Sequence, residues 1–184
     1  MFTAPNEAAG ILDGSLNPNY SPLYGLENLT PKLDLITLTE GELSWDGFRI
    51  VSRELPHGHV VSLGFRIEAD GGTLACIPDV EYAEGDPSDG AMDVASDADV
   101  LVHDALSSAL DVMKRRGGPG GKRPDDAVWL AREAGVKRLY LTHHDPDRTD
   151  ESMEEMLARL RLSAPDLAIE AAREGEVLEL GRTR

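Results

Sequence analysis

Apolar positions come in short alternating bursts from residue 33 to about residue 77, and at helical spacing after that. Leu35–Leu38, Leu43–Trp45, Phe48–Ser52, Val60–Ile67 and Thr73–Ile77 read as strands. Each has apolar and polar residues in the period-two order of a half-buried sheet. Turn residues separate them: Glu40 with Gly41, Asp46 with Gly47, and Asp70 with Gly71 and Gly72. An Asp-Gly pair between two such runs is a strong hairpin signal, so this half reads as an antiparallel meander. In the second half strands and helices alternate. Asp99–Val102 and Arg138–Thr142 read as buried strands, and residues 105–115 as a helix broken by the glycines from 117 to 121. Pro124, acidic Asp125 and Asp126, and Gly135 delimit another helix, with proline at its first position and glycine just past its end. Ala127, Leu130, Ala131 and Ala134 form its apolar face, and Met153, Met156, Leu157 and Leu160 form that of the next helix. Ala168–Ala171 and Val177–Leu180, joined by Glu174 and Gly175, read as a closing hairpin.

The first 32 residues break this order. They lack periodicity and are rich in Pro, Asn and Gly. Two segments are therefore expected: an irregular connecting stretch over 1–32 and a folded α/β domain over 33–184.

Polar chemistry collects where the strands stop. Pro56-His57 closes one stretch, Pro78-Asp79 another, His103-Asp104 a third and His143-His144 a fourth. Several successive strands delivering imidazoles and carboxylates to one edge suggest a metal or catalytic site. His143 is read as closing a metal site to which His57 and Asp79 contribute. His57 is preferred to His59 because it directly ends its strand, and His59 and His144 read as loop neighbours. Imidazole with carboxylate suits zinc, with manganese or iron as alternatives. Asp104 is the candidate acceptor for the second N–H of a metal-bound imidazole, and with Asp79 it makes the pair of candidate catalytic carboxylates.

Composition narrows the setting. A chain of 184 residues with 41% hydrophobic content is long enough for one domain with its own core. It shows no run of eighteen apolar residues and no basic-then-apolar start, so no membrane partner is expected. A single cysteine, Cys76, fits a reducing, cytoplasmic setting and reads as a small buried residue. The net charge of −16 weighs against a nucleic-acid backbone as partner. The local exception is the basic stretch that includes Lys122 and Arg123, the candidate contacts for an anionic substrate. The surrounding glycines do not make a P-loop, because Arg123 stands where Ser or Thr is required.

Four stretches together resemble the metallo-β-lactamase superfamily, in the branch of ribonuclease Z and phosphodiesterase-like hydrolases. They are 55–67, Leu74–Asp79, Ala98–Ala105 and Asp126–Pro146. The resemblance implies the C-terminal half of an αβ/βα sandwich, a mixed sheet with helices on one side. It implies His57 as ligand of a first metal, Asp79 as the bridging ligand and His143 as ligand of a second. It also implies hydrolysis of a phosphodiester or small anionic ester by metal-activated water. The family's His-x-His-x-Asp-His motif is absent, and Gly121 stands where ribonuclease Z-like members carry a histidine. The site is therefore expected to be incomplete in a lone chain and to need an N-terminal half or a homodimer partner. The alternative is a degenerate, non-catalytic half-domain that serves as a binding or assembly module.

Overall fold

The computed structural model describes Gly14 and residues 38–82, 87–106 and 124–180. The chain falls into two compact units, Met1–Gly41 and Glu42–Arg184. The expected boundary at residues 32 and 33 and the expected strand over 35–37 lie outside the described residues, as does the expected helix beyond residue 106.

One seven-stranded sheet organises the second unit, with its strands side by side in chain order. They are β1 (Gly41–Trp45), β2 (Phe48–His57), β3 (Val60–Ala69), β4 (Gly72–Ile77), β5 (Val100–Asp104), β6 (Arg138–Thr142) and β7 (Ala168–Ala171). The first four form the meander. Asp46 (φ 49°) and Gly47 (φ 83°) both take the left-handed conformation, as a two-residue primed hairpin turn requires. The pairs His57 with Val60 and Ala69 with Gly72 leave two-residue turns at the other hairpins as well. From β4 onward every pair is parallel. Parallel neighbours need crossovers, and these contain the helices α1 (Asp89–Ala95), α2 (Pro124–Glu133) and α3 (Asp150–Ser163).

The helices pack on one face. Ala75, Leu101, Leu139 and Ile169 are directly paired across β4 to β7, so their side chains share that face. All four are in one buried cluster with Ala91 and Val94 of α1, Leu130 and Ala131 of α2, and Leu157 and Leu160 of α3. The expected apolar faces of α2 and α3 are the buried ones. Gly64 admits α1 to the sheet: a Cβ there would lie 2.9 Å from Leu55 Cδ1 and 3.3 Å from Val94 Cγ2. Helix α2 ends as read, with Gly135 at φ 70° and the Val136 N–H donating to the Ala131 carbonyl. Thr149 caps α3, its hydroxyl oxygen accepting from the Ser152 N–H.

Leu63, Phe65, Ile67, Leu74, Cys76 and Val102 alternate to the other face, where each is half-buried. Cys76 thus departs from the expectation of a fully buried residue, because it sits one position out of register with Ala75 and Ile77. Partial burial still raises its thiol pKa.

The closing hairpin does not form. Ala168–Ala171 pairs in parallel with β6, and 177–180 is not a strand. The Glu174-Gly175 turn exists, with Gly175 at φ 81°, but Val177 beyond it is 84% exposed. Instead the Glu179 backbone carbonyl accepts from the Arg138 guanidinium. The Leu180 carbonyl oxygen lies 2.7 Å from where a Cβ on Gly71 would stand.

Candidate metal centre

Adjacent strands β4, β5 and β6 run parallel, so their C-terminal ends meet at one edge of the sheet, where open α/β sheets place their sites. Each contributes one polar side chain. Asp79 follows β4 by two residues, Asp104 is the last residue of β5, and His143 follows β6 directly. His143 Nδ1 lies 3.3 Å from Asp79 Oδ1 and 3.4 Å from Asp104 Oδ1. One ligand atom from each residue lies within 4.8 Å of the others. Among the described residues this is the group whose donor atoms converge closely enough for one ion.

The backbone fixes this arrangement at some cost. Asp79 has φ 33° and His143 φ 54°. Non-glycine residues in this region carry about 1–3 kcal/mol of strain, and such strain gathers at functional sites. The Ser62 hydroxyl holds the Asp79 turn by donating to the Asp79 carbonyl at 2.6 Å. Asp104 Oδ1 accepts from the Leu106 N–H at 3.0 Å, and the Ala105 N–H donates to the Thr142 carbonyl. Asp145, after His143, closes its own loop by accepting from the Asp147 and Arg148 N–H groups. The Asp104 side chain is fully buried, whereas those of Asp79 and His143 are 46% exposed. The cluster therefore has one buried anchor and two arms open to solvent.

His103 lies behind it, fully buried beneath the helices. Its Nδ1 lies 2.6 Å from the Asp104 carbonyl oxygen, which can only accept. Nδ1 therefore carries the proton, and Nε2 accepts from the Tyr82 hydroxyl at 2.8 Å. Burial pushes the His103 pKa down to about 4, against the opposing pull of its Asp104 contacts. Burial, with the charges of Asp126 and Asp104, raises the pKa of Tyr82. His144 is partly buried and its pKa is lowered, first by burial and then by Arg148. It lines a cleft of about 420 Å³ with Asp150, Met153, Glu154 and Arg173.

Of the residues singled out from sequence, Asp79, Asp104 and His143 come together. His57 does not join their donor group. Its Nδ1 lies 3.3 Å from Glu81 Oε1, and the Pro56 carbonyl accepts from the Glu81 N–H. The end of β2 thus braces the loop that carries Asp79 through the Pro56 carbonyl. His59 is exposed in the β2–β3 turn. Lys122 and Arg123 lie outside the described residues. Ser62 and Tyr82 were not singled out, and no spacing in the sequence links them to Asp79 or His103. Two carboxylates and an imidazole at this separation fit a divalent ion that accepts mixed oxygen and nitrogen ligands.

The fold is that of metallo-β-lactamase-fold proteins, and the resemblance read from the sequence holds at the level of structure. The metallo-β-lactamase fold protein YhfI from Bacillus subtilis superposes with a TM-score of 0.60 at 19% identity, covering 78% of this chain and 55% of that one. A diphosphatase of the PhnP family gives 0.62 at 18% identity, covering 97% and 56%. No family model matches the chain. Ribonuclease Z of Brevibacillus brevis is 39% identical over 85 residues, which is 44% of this chain and 26% of the relative. Ribonuclease BN of Cronobacter sakazakii is 30% identical over 84 residues, 46% and 27% of the two chains. The chain thus matches about a quarter of the curated relatives' length and about half of those two solved structures. Among the described residues no helix is long and apolar enough to cross a membrane.

Proposed function

We propose that this chain carries part of the metal site of a metal-dependent hydrolase that cleaves phosphoester bonds. The observation that supports the reading is the convergence of Asp79, Asp104 and His143 at the ends of three parallel strands. Asp79 and His143 would hold the ion from the open side and Asp104 from the buried side, with zinc the ion the donor set suits best and manganese or iron the alternatives. When bound, such an ion supplies Lewis acidity and activates water. The chain's own residues supply position and charge. The two carboxylates offset the ion's charge; the Leu106 N–H holds Asp104, and the Ser62 hydroxyl holds the Asp79 turn. The solvent-open side of Asp79 and His143 leaves a path for substrate.

Three ligands leave the site short of a full two-metal set. The remaining ligands are proposed to come from beyond the described residues, in a further N-terminal segment or a partner chain, which agrees with the partial coverage of the relatives. The diphosphatase and ribonuclease names share cleavage of a phosphorus–oxygen bond, so an anionic phosphoester is the proposed substrate class. The expectation that nucleic acid is disfavoured is not supported beside ribonuclease relatives, and RNA stands with small phosphodiesters in that class. A second reading, a non-catalytic assembly module, is favoured by the apolar row Leu63, Phe65, Ile67, Leu74 and Val102 on the sheet face away from the helices.

Elemental analysis of the purified protein tests the proposal, alongside Asp79→Ala and Asp104→Asn, with molar mass measured on the same samples. Near-stoichiometric metal lost in both variants is the expected result. Equal metal in all three, or none in wild type, overturns the hydrolase reading. A metal-free dimer would favour the assembly module.

A further inference from the structure

We propose that the buried Tyr82–His103 hydrogen bond is a positioning device that fixes the distance between the two carboxylates of the metal centre. The inference rests on the metal-site reading above and adds two residues to it.

Asp79 and Asp104 reach the site on separate stretches of chain. Asp79 is in the loop after β4, and Asp104 ends β5. Strand pairing stops short of Asp79, because the β4–β5 register ends at Ile77 with His103. Backbone pairing to β5 therefore does not set where the Asp79 loop stands above that strand. One and three residues past Asp79, the same loop buries Val80 at 1% and Tyr82 at 2% exposure. The Tyr82 hydroxyl donates to His103 Nε2 at 2.8 Å. The His103 Nδ1–H donates to the Asp104 carbonyl at 2.6 Å. One imidazole thus joins the loop of the first carboxylate to the backbone of the second, and both side chains of the Tyr82–His103 pair are buried. The tautomer is forced, since a carbonyl can only accept, and each bond therefore keeps its direction. Neither residue reaches the ion, so both are positioning residues.

A generally loosened core would also weaken metal binding, so the test separates bond from packing. Cobalt(II) is titrated into chelator-stripped wild type, Tyr82→Phe, Val80→Ala and Asp79→Ala. The visible bands of the bound ion give both affinity and ligand geometry, and a thermal melt accompanies each protein. Tyr82→Phe removes one hydroxyl and no carbon. It is expected to weaken cobalt binding about 10- to 100-fold, the range for losing a partner behind a metal ligand, and to shift the bands. Val80→Ala opens a cavity in the same loop and is expected to lower thermal stability while binding within about threefold of wild type.

Tyr82→Phe that binds like wild type with unchanged bands overturns the positioning role and leaves the metal site standing. Equal weakening in Tyr82→Phe and Val80→Ala overturns it too, since packing alone would then account for the loss. Wild type that binds no cobalt, or Asp79→Ala that binds as well as wild type, removes the metal site and this inference with it. Should Tyr82→Phe not fold, His103→Gln and His103→Leu carry the comparison. Glutamine keeps a donor and an acceptor and leucine keeps neither, so weaker binding in the leucine variant is expected, and equal binding overturns the proposal.

Discussion

Replacing Asp79 with asparagine should move stability in opposite directions with and without metal. In the metal-free protein, ligand atoms of Asp79 and Asp104 approach within 4.8 Å. Two like charges about 5 Å apart repel by roughly 3 kcal/mol at an effective dielectric of about 20. The Asp79 side chain is 46% exposed, and solvent screening reduces that to about 1 kcal/mol. Asparagine keeps the side chain's size and tolerates the left-handed backbone at φ 33° as aspartate does. The metal-free variant should therefore be about 1 kcal/mol more stable than wild type, or about 2–4 °C in Tm for a chain of this size. With zinc at about 100 times its Kd, wild type gains about 2.7 kcal/mol, a rise of about 5–11 °C. The variant has lost a ligand charge and should gain much less. The assay is a set of four thermal melts, each protein with chelator and with zinc. An equal zinc-induced rise in both proteins would refute Asp79 as a ligand. A metal-free variant less stable than wild type would refute the repulsion argument.

Other consequences can be checked separately. Leu139→Ala removes a fully buried side chain from the central parallel strands and should cost about 2–5 kcal/mol, read as a lower urea midpoint with unchanged slope. Gly135→Ala places a Cβ 2.8 Å from Asp97 Oδ1 at φ 70° and should cost about 1–2 kcal/mol, whereas the same change at exposed, helical Gly14, which meets nothing within 4 Å, should not destabilise. The Asp99 carboxyl is held below its usual range, first by Lys137 and then by the Thr73 N–H. A depressed carboxyl stabilises the fold above the unfolded pKa, and that contribution is lost as pH falls through the folded one. Acid should therefore destabilise wild type more than Asp99→Asn below about pH 4, as urea melts at pH 7 and pH 3 would show; equal losses would contradict the assignment.

What could be read from the sequence divides along the physics of the chain. Period-two alternation and Asp-Gly turns are local, so β1 to β4 and their hairpins were legible. The caps at Pro124 and Gly135 and the apolar spacing in α2 and α3 are local as well. The short helix α1 escaped: its buried Ala91, Val94 and Ala95 are small, and seven residues give the helical period little room. The closing hairpin failed for the opposite reason. Its turn is locally correct, but β7 is held by the Ile169–Leu139 pairing in the parallel sheet, a partner that local pattern cannot name.

The same distinction governs the site. Strand ends foretell that Asp79, Asp104 and His143 lie at one edge, because parallel order follows from alternation of strands and helices. Strand ends do not foretell which atoms meet. His57 also ends a strand at this edge, yet two strands, β3 and β4, stand between β2 and β5, and its imidazole stands with Glu81. Asp104, read first as an acceptor for a neighbour's N–H, ends the middle strand of the three, and the His143 Nδ1 stands 3.4 Å from its buried carboxylate and 3.3 Å from that of Asp79. The Tyr82–His103 bond was illegible because a hydrogen bond between residues 21 positions apart leaves no periodic trace. A sequence in this fold therefore reveals the edge at which chemistry can occur, whereas the interior bonds that set the spacing at that edge become visible only once the strands are in register.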